Sequence, residues 1–289
     1  MPPIITPISD SLLEEVSSKL KKNTGAEVRF DQGSRAIYAS DLSHYRQVPI
    51  GVVVPHTVDD VIATVAVCRE YGIPILGRGA GTSLAGQTCN VAVVIDFSKY
   101  LNRLLELRPR ERYAWVEPGL INDHLRNAAE DHKLTFAPDP ATHEYCTIGG
   151  MIGNNSCGPH SVMGGKTSEN IEELDILTYD GVRMTVGTTS EKELESIIRR
   201  GGRRGDIYRK LRNIRDTYAT EVRERFPDPG SRFDDGMHSF ENASLDELRH
   251  LHLARARFEA RKRARKRTAR GKDVVDRSCV HPCVRGGGA

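Results

Sequence analysis

The residues with the clearest chemistry in this chain are glycines. Residues 77–87 read Gly77-Arg78-Gly79-Ala80-Gly81-Thr82-Ser83-Leu84-Ala85-Gly86-Gln87, four glycines in eleven positions. Glycine lets consecutive backbone N–H groups converge on one point with no Cβ in the way. Thr82 and Ser83 add hydroxyl donors, and Arg78 adds a cation. The set suits an anion, and a pyrophosphate is its natural ligand. For one such loop taken alone, a Gly-rich surface turn is the alternative reading. Two familiar phosphate sites are excluded. The third glycine of the dinucleotide fingerprint would fall at Leu84, and no GxxxxGK[ST] string occurs.

A second stretch reads Thr147-Ile148-Gly149-Gly150-Met151-Ile152-Gly153-Asn154-Asn155-Ser156-Cys157-Gly158. Two separate small-residue loops point to an extended ligand approached by backbone in two places. Thr147, Asn154, Asn155 and Ser156 supply side-chain donors and acceptors. A dinucleotide with a polar tail and a flat ring needs this combination.

The elements that must position these stretches follow from periodicity. Residues 11–22 form an amphipathic helix, and residues 24–46 are polar and irregular. Residues 50–54 are a short apolar strand. Thr57 starts a helix with Asp60 three residues on, a variant capping box, and Gly72 ends it. Residues 73–76 are the next strand, making a β-α-β unit that runs directly into the first glycine loop. Residues 92–96, 101–107 and 113–117 read as strands, and residues 120–132 as a helix. Tyr179-Asp180-Gly181 joins strands 171–178 and 182–186 in a hairpin. Helices are expected at 191–199 and 207–226. Trp115, on a strand, reads as core.

With 289 residues, the chain has room for about two folding units. Its hydrophobic fraction of 38% and charged fraction of 28% suit a globular rather than a disordered protein. No apolar run approaches the ~18 residues that span a bilayer, and no secretory signal is recognised, so a cytoplasmic location is expected. The six cysteines are scattered, which favours reduced thiols over a disulfide framework. Charge is uneven. Residues 231–289 hold 14 Lys/Arg against 8 Asp/Glu, whereas the first 230 hold 28 against 31.

Four strings carry a resemblance: VPHTVDDVIATVAVCREYGIPILGRGAGTSLAGQ, VEPG, PDPATHEYCTIGGMIGNNSCGPHS and NIEELDILTYDG. In this order they resemble the FAD-binding domain of the p-cresol methylhydroxylase and vanillyl-alcohol oxidase type. Within it, they are most similar to the glycolate oxidase and D-lactate dehydrogenase branch of flavoenzymes. The similarity covers about residues 35–228. It implies an α+β fold of two small subdomains, about 46–108 and 109–228, with FAD between them and residues 1–45 as a lead-in. It also implies that the first loop wraps the pyrophosphate through Arg78, Gly79, Ala80, Gly81, Thr82 and Ser83. Pro138, Thr147, Gly149, Gly150, Asn154, Ser156, Gly158 and Ile171 are the further cofactor contacts it implies. The segment Glu117-Pro118-Gly119 and the backbone near Ile171 would lie by the adenine half. Relatives that attach flavin covalently use a His in the first loop. Thr82 stands at that place, so the FAD is expected to be non-covalent.

The resemblance implies oxidation of a 2-hydroxy acid, with electrons passing to a separate acceptor such as an iron–sulfur or quinone partner. Such chemistry needs a cation to clamp the carboxylate and a base to take the hydroxyl proton. In the resembled enzymes, these groups come largely from a substrate-capping domain after the FAD domain. Residues 229–289 do not look like one. They form a basic tail, expected to be poorly structured or helical, and truncation of the ancestral frame after about Asp228 accounts for it. A truncated FAD-binding module without a substrate site is therefore the competing reading of the polypeptide. The run from Arg261 to Arg267 leaves a basic-tail interaction protein, binding nucleic acid or an acidic membrane surface, as a further alternative; it lacks interleaved aromatics, so nucleic-acid binding is not favoured. Cys279, His281 and Cys283 lack a second ligand pair, so no metal site is expected. His143 and His160 flank the second stretch and read mainly as hydrogen-bonded structural histidines, with a catalytic place near the flavin as their alternative, and Cys157 reads as a small buried hydrophobe. Tyr145 reads mainly as structural, with a place facing the flavin ring as its alternative. His44 and Tyr45 read as packing residues.

Overall fold

The computed structural model describes residues 9–225, 252–259 and 261–262. Helix α1 (Asp10–Asn23) is capped by Ser9, whose hydroxyl accepts the Leu12 N–H, and it buries Val16 and Leu20. Strand β1 (Glu27–Arg29) and helix α2 (Gln32–Ile37) occupy the segment that had read as irregular. Strand β2 (Gly51–Val54), helix α3 (Val58–Glu70), strand β3 (Ile75–Arg78) and strand β4 (Val93–Asp96) follow.

These strands form a sheet in the order β1-β2-β4-β3. β4 lies between β2 and β3 and pairs with both in parallel. Every residue of β2 and β4 is buried. That explains their unbroken apolar sequence, since parallel strands covered on both faces need no alternation. The Thr57–Asp60 capping box forms as expected at the start of α3. Asp60 also accepts the backbone N–H of Gly25 at 2.7 Å, tying the end of α1 to the same cap.

The second sheet begins with β5 (Leu104–Arg108) and β6 (Tyr113–Val116). Helix α4 (Asn122–Glu130), strand β7 (Leu134–Thr135), helix α5 (Ile148–Asn154) and helix α6 (Ser161–Gly164) follow. A 3-10 turn (Thr167–Asn170) leads into β8 (Ile171–Leu177), which pairs with β9 (Arg183–Gly187) in the expected hairpin. Helices α7 (Glu191–Arg200) and α8 (Gly202–Arg225) come next, then strands β10 (His252–Glu259) and β11 (Arg261–Lys262).

The order of this antiparallel sheet is β5-β6-β10-β8-β9. Its core joins Ala114, Val116, Leu125, Phe136, Ile148, Met151, Leu174 and Ile176. Trp115 alternates with Ala114 and Val116, so it faces the other side and is only half-buried, which corrects its reading as core.

Ten residues of the basic tail are described, and they are strand rather than helix. Residues 252–259 are a strand, seated between β6 and β8, and β11 pairs with β7. The register places Arg255 opposite Asp175 and Arg257 opposite Glu173, with Ala256 opposite both Val116 and Leu174. Basic and small residues thus alternate with the period of two that a strand needs. The remaining tail residues, including the 263–267 part of the basic run and Cys279, His281 and Cys283, lie outside the described residues.

The two sheets are joined at the hairpin. Tyr179 Oη donates to the carbonyls of Ile73 (2.8 Å) and Cys68 (3.3 Å), and Arg69 donates to the carbonyl of Asp180. Leu177 packs with Val61, Val65, Ile95 and Phe97 of the first layer.

Candidate functional site

The first glycine loop leaves the end of β3 and the second opens α5. They meet. A side chain at residue 79 would drive its first carbon into Thr147, whose Cβ and Cγ2 lie 3.1 Å from that position and whose Oγ1 lies closer still. Glycine is required at this crossing.

Residues 148–154 are helical, not a loop, which corrects the reading of the second stretch. Ile148, Met151 and Ile152 recur at helical spacing and are buried, and this burial outweighs the low helix propensity of three glycines. Thr147 caps the helix by accepting the Gly150 N–H at 3.3 Å. The Gly149 N–H donates to the Pro118 carbonyl at 2.8 Å, which sets Glu117-Pro118-Gly119 beside α5. Glu117 itself is fully buried and accepts from the Arg103 backbone N–H (2.8 Å), Nε (3.1 Å) and Nη2 (2.7 Å).

Among the described residues, no protein acceptor takes the backbone N–H of Ala80, Gly81, Thr82, Ser83 or Leu84. Gly81 and Ser83 are buried, and Ser83 is only 5% exposed. Buried amides are almost always paired, so the open ones of Gly81 and Ser83 mark a place for an external acceptor, whereas the exposed Ala80 and Leu84 can be met by water. Gly81 has φ +72°, a left-handed conformation that turns the chain here. The Ser83 hydroxyl donates to Gln87 Oε1, which also accepts the Ala85 N–H at 3.2 Å.

The Arg78 cation is placed differently from what the sequence implied. Its guanidinium donates to the carbonyls of Tyr38 (3.2 Å), Ser40 (3.0 Å) and Thr88 (3.3 Å). It therefore braces the loop through three carbonyls.

Around the second stretch, Pro138 is buried and its carbonyl accepts from Asn122 Nδ2 at 3.1 Å. Asn122 is fully buried, and its Oδ1 has no partner among the described residues. Gly158 approaches Asp139 so closely that a side chain there would come within 2.6 Å of Asp139 Oδ1. Asn155 ends α5 in the left-handed conformation (φ 47°), and its Oδ1 accepts the Ser168 N–H at 2.9 Å. The Ser156 carbonyl accepts Thr167 N–H (3.0 Å) and Oγ1 (2.7 Å). Asn154 is exposed at the end of α5. Ile171 opens β8 and is half-buried, and no hydrogen bond joins it to either glycine stretch.

His143 Nδ1 bonds Asp123 at 2.7 Å, and His160 Nδ1 bonds Asp139. Each imidazole is held by a carboxylate. Cys157 is exposed rather than buried, because the chain has turned outward after Asn155. Tyr145 is also exposed. Sequence reasoning missed Asp139 and Asn122, which lie between periodic segments and are recruited only by contacts across the fold.

The open amides and the glycine crossing fit a long anionic dinucleotide. They define a two-subdomain cofactor-binding module. Residues 49–187, just under half of the chain, match the family described as FAD binding domain.

Among known proteins, the chain is 32% identical over 211 residues to a D-2-hydroxyglutarate dehydrogenase of Pseudomonas putida, covering 71% of this chain and 21% of that protein. It is 35% identical over 149 residues to glycolate oxidase subunit GlcD of Escherichia coli, covering 51% of this chain and 30% of that protein. The chain thus spans well under half of the length of these two relatives. Among solved structures, 4-ethylphenol oxidase from Gulosibacter chungangensis superposes with a TM-score of 0.62 at 17% identity, covering 89% of this chain and 44% of that one. At that identity the likeness shows the α+β fold. No helix among the described residues is long and apolar enough to cross a membrane.

Proposed function

We propose that this chain is the cofactor-binding part of an FAD-dependent oxidoreductase acting on 2-hydroxy acids of the D-lactate or glycolate kind, with FAD held non-covalently. The run of open amides from Ala80 to Leu84 carries the reading, because it offers several N–H donors to a pyrophosphate. Glycolate oxidase and D-2-hydroxyglutarate dehydrogenase relatives support the substrate class.

In this reading, residues 79–83 hold the pyrophosphate. Thr147, Gly149, Gly150, Asn154, Ser156 and Gly158 line the ribityl chain and ring, with Pro138 beside them. Ile171 and residues 117–119 flank the adenine half. When bound, FAD supplies an acceptor for the hydride of the substrate carbon. The protein excludes water from the cofactor and fixes its orientation. Electrons pass on to a separate iron–sulfur or quinone acceptor. A cytoplasmic location accords with the free thiols of Cys68, Cys89, Cys146 and Cys157.

A second reading is that this polypeptide binds FAD without turning over substrate. Anaerobic mixing of the FAD-loaded protein with D-lactate, glycolate or D-2-hydroxyglutarate separates the two. Bleaching of the flavin absorbance supports the oxidoreductase. An unchanged spectrum with all three acids supports the cofactor module alone.

A further inference from the structure

The polar segment before β2 lies outside the matched residues 49–187, yet it follows the first glycine loop along its length. The two segments touch at several points. Arg78 donates to the Tyr38 and Ser40 carbonyls, and its guanidinium sits 5.1 Å from the Tyr38 ring centre. The Leu42 N–H donates to the Gly81 carbonyl at 3.0 Å. Thr88 Oγ1 donates to Asp41 Oδ2 at 2.9 Å. The Tyr45 ring lies where a side chain on Gly86 would need to be, with Cδ2 2.8 Å from that position. The segment is closed on itself by a bridge between Ser40 and Arg46.

We propose that residues 38–46 are a strap that holds the first glycine loop in its ligand-ready shape, with Arg78, Asp41 and Thr88 as its positioning residues. The inference rests on the FAD reading of that loop. Its physical logic is pre-organisation. A glycine-rich loop has the most conformational freedom to lose, and open amides converge on an anion only in one of its many shapes. The strap takes the Gly81 carbonyl with the Leu42 amide and spends the Arg78 cation on carbonyls. The loop's remaining N–H groups are then fixed before any ligand arrives. If loosening the strap leaves the competent shape in about one molecule in ten, apparent affinity falls about tenfold.

The test uses the full 289-residue protein, with Arg78→Gln, Asp41→Asn and Thr88→Val. Binding of FAD, of ADP (which carries the pyrophosphate) and of riboflavin (which lacks it) is measured by calorimetry. Amide hydrogen exchange is followed over residues 79–88 without ligand. The strap predicts a parallel loss of about tenfold for FAD and ADP, with riboflavin binding unchanged and faster exchange in the loop. Wild-type affinity with unchanged exchange overturns it, as does an equal loss for riboflavin. Should Arg78→Gln fail to fold by circular dichroism, Thr88→Val, which removes one hydroxyl, decides. A wild-type protein that binds no FAD sinks the cofactor reading instead, and loop exchange in the variants then tests the strap alone.

Discussion

Gly79 and Thr147 are in contact across the two glycine stretches, although they stand far apart in sequence. Thr147 is nearly fully buried and caps α5, so it has little room to retreat. One contact therefore sets the spacing between the end of β3 and the start of the helix carrying the second stretch.

Gly79→Ala should destabilise the protein by about 1–3 kcal/mol through overpacking and weaken FAD binding. Thr147→Ala alone should cost about 1 kcal/mol through the lost cap. In the double variant the two losses should not add, because the second removes the oxygen that the first strikes. Urea denaturation of all four proteins checks this; strict additivity would separate the two residues.

The carboxylate of Asp139 accepts both the backbone N–H of His160, at 3.0 Å, and its ring Nδ1. An ionised carboxylate has no proton to give, so the neutral ring must carry its proton on Nδ1 and leave Nε2 open. Nitrogen-15 NMR should show that tautomer in the wild type. Asp139→Ala should return His160 to the Nε2–H form. An Nε2–H signal in the wild type would contradict the pairing.

Glu27 gathers Lys99, Tyr100 and Arg29 around its carboxylate, and Lys99 leads in holding it down to about 2 from an ordinary 4.5. A lowered folded pKa means stability that is complete above about 4.5 and lost as pH falls through about 2. Acid titration of the wild type should therefore lose stability over that window, and Glu27→Gln should flatten the loss. Added salt should shrink the effect, because the Lys99 side chain is about half exposed. An identical acid profile in Glu27→Gln would count against the cluster.

Burial pushes the Cys68 thiol up to about 12 and the Cys146 thiol up to about 11, whereas Cys157 is exposed. Among the described cysteines, iodoacetamide at neutral pH should label Cys157 first, as read by peptide mass mapping. Bound FAD should slow it if the second stretch lines the flavin. Faster labelling of Cys68 or Cys146 would indicate an opened core.

Strands β2 and β4 were legible because burial on both faces writes itself as an apolar run. The hairpin was legible because Gly181 must take a positive φ, here 88°. Helix α5 was not, because glycines mask a spacing visible only in Ile148, Met151 and Ile152. The strap was illegible for a different reason: its polar residues owe their order to partners at positions 78–89, not to their own periodicity. Strand β10 hid within a basic stretch, because alternation of Ala with Arg at residues 254–257 carries no apolar signal. At the site, the glycines could be read, but the direction of Arg78 could not, since three carbonyls from distant segments set it.

The most direct measurement is an FAD titration of the purified protein, followed by acid precipitation. The account predicts saturable binding and about 2.7 kcal/mol of stabilisation when free FAD is about a hundredfold above its Kd. It also predicts release of intact FAD into the acid supernatant. A melting temperature indifferent to FAD would contradict the cofactor site, and flavin retained in the precipitate would contradict its non-covalent attachment.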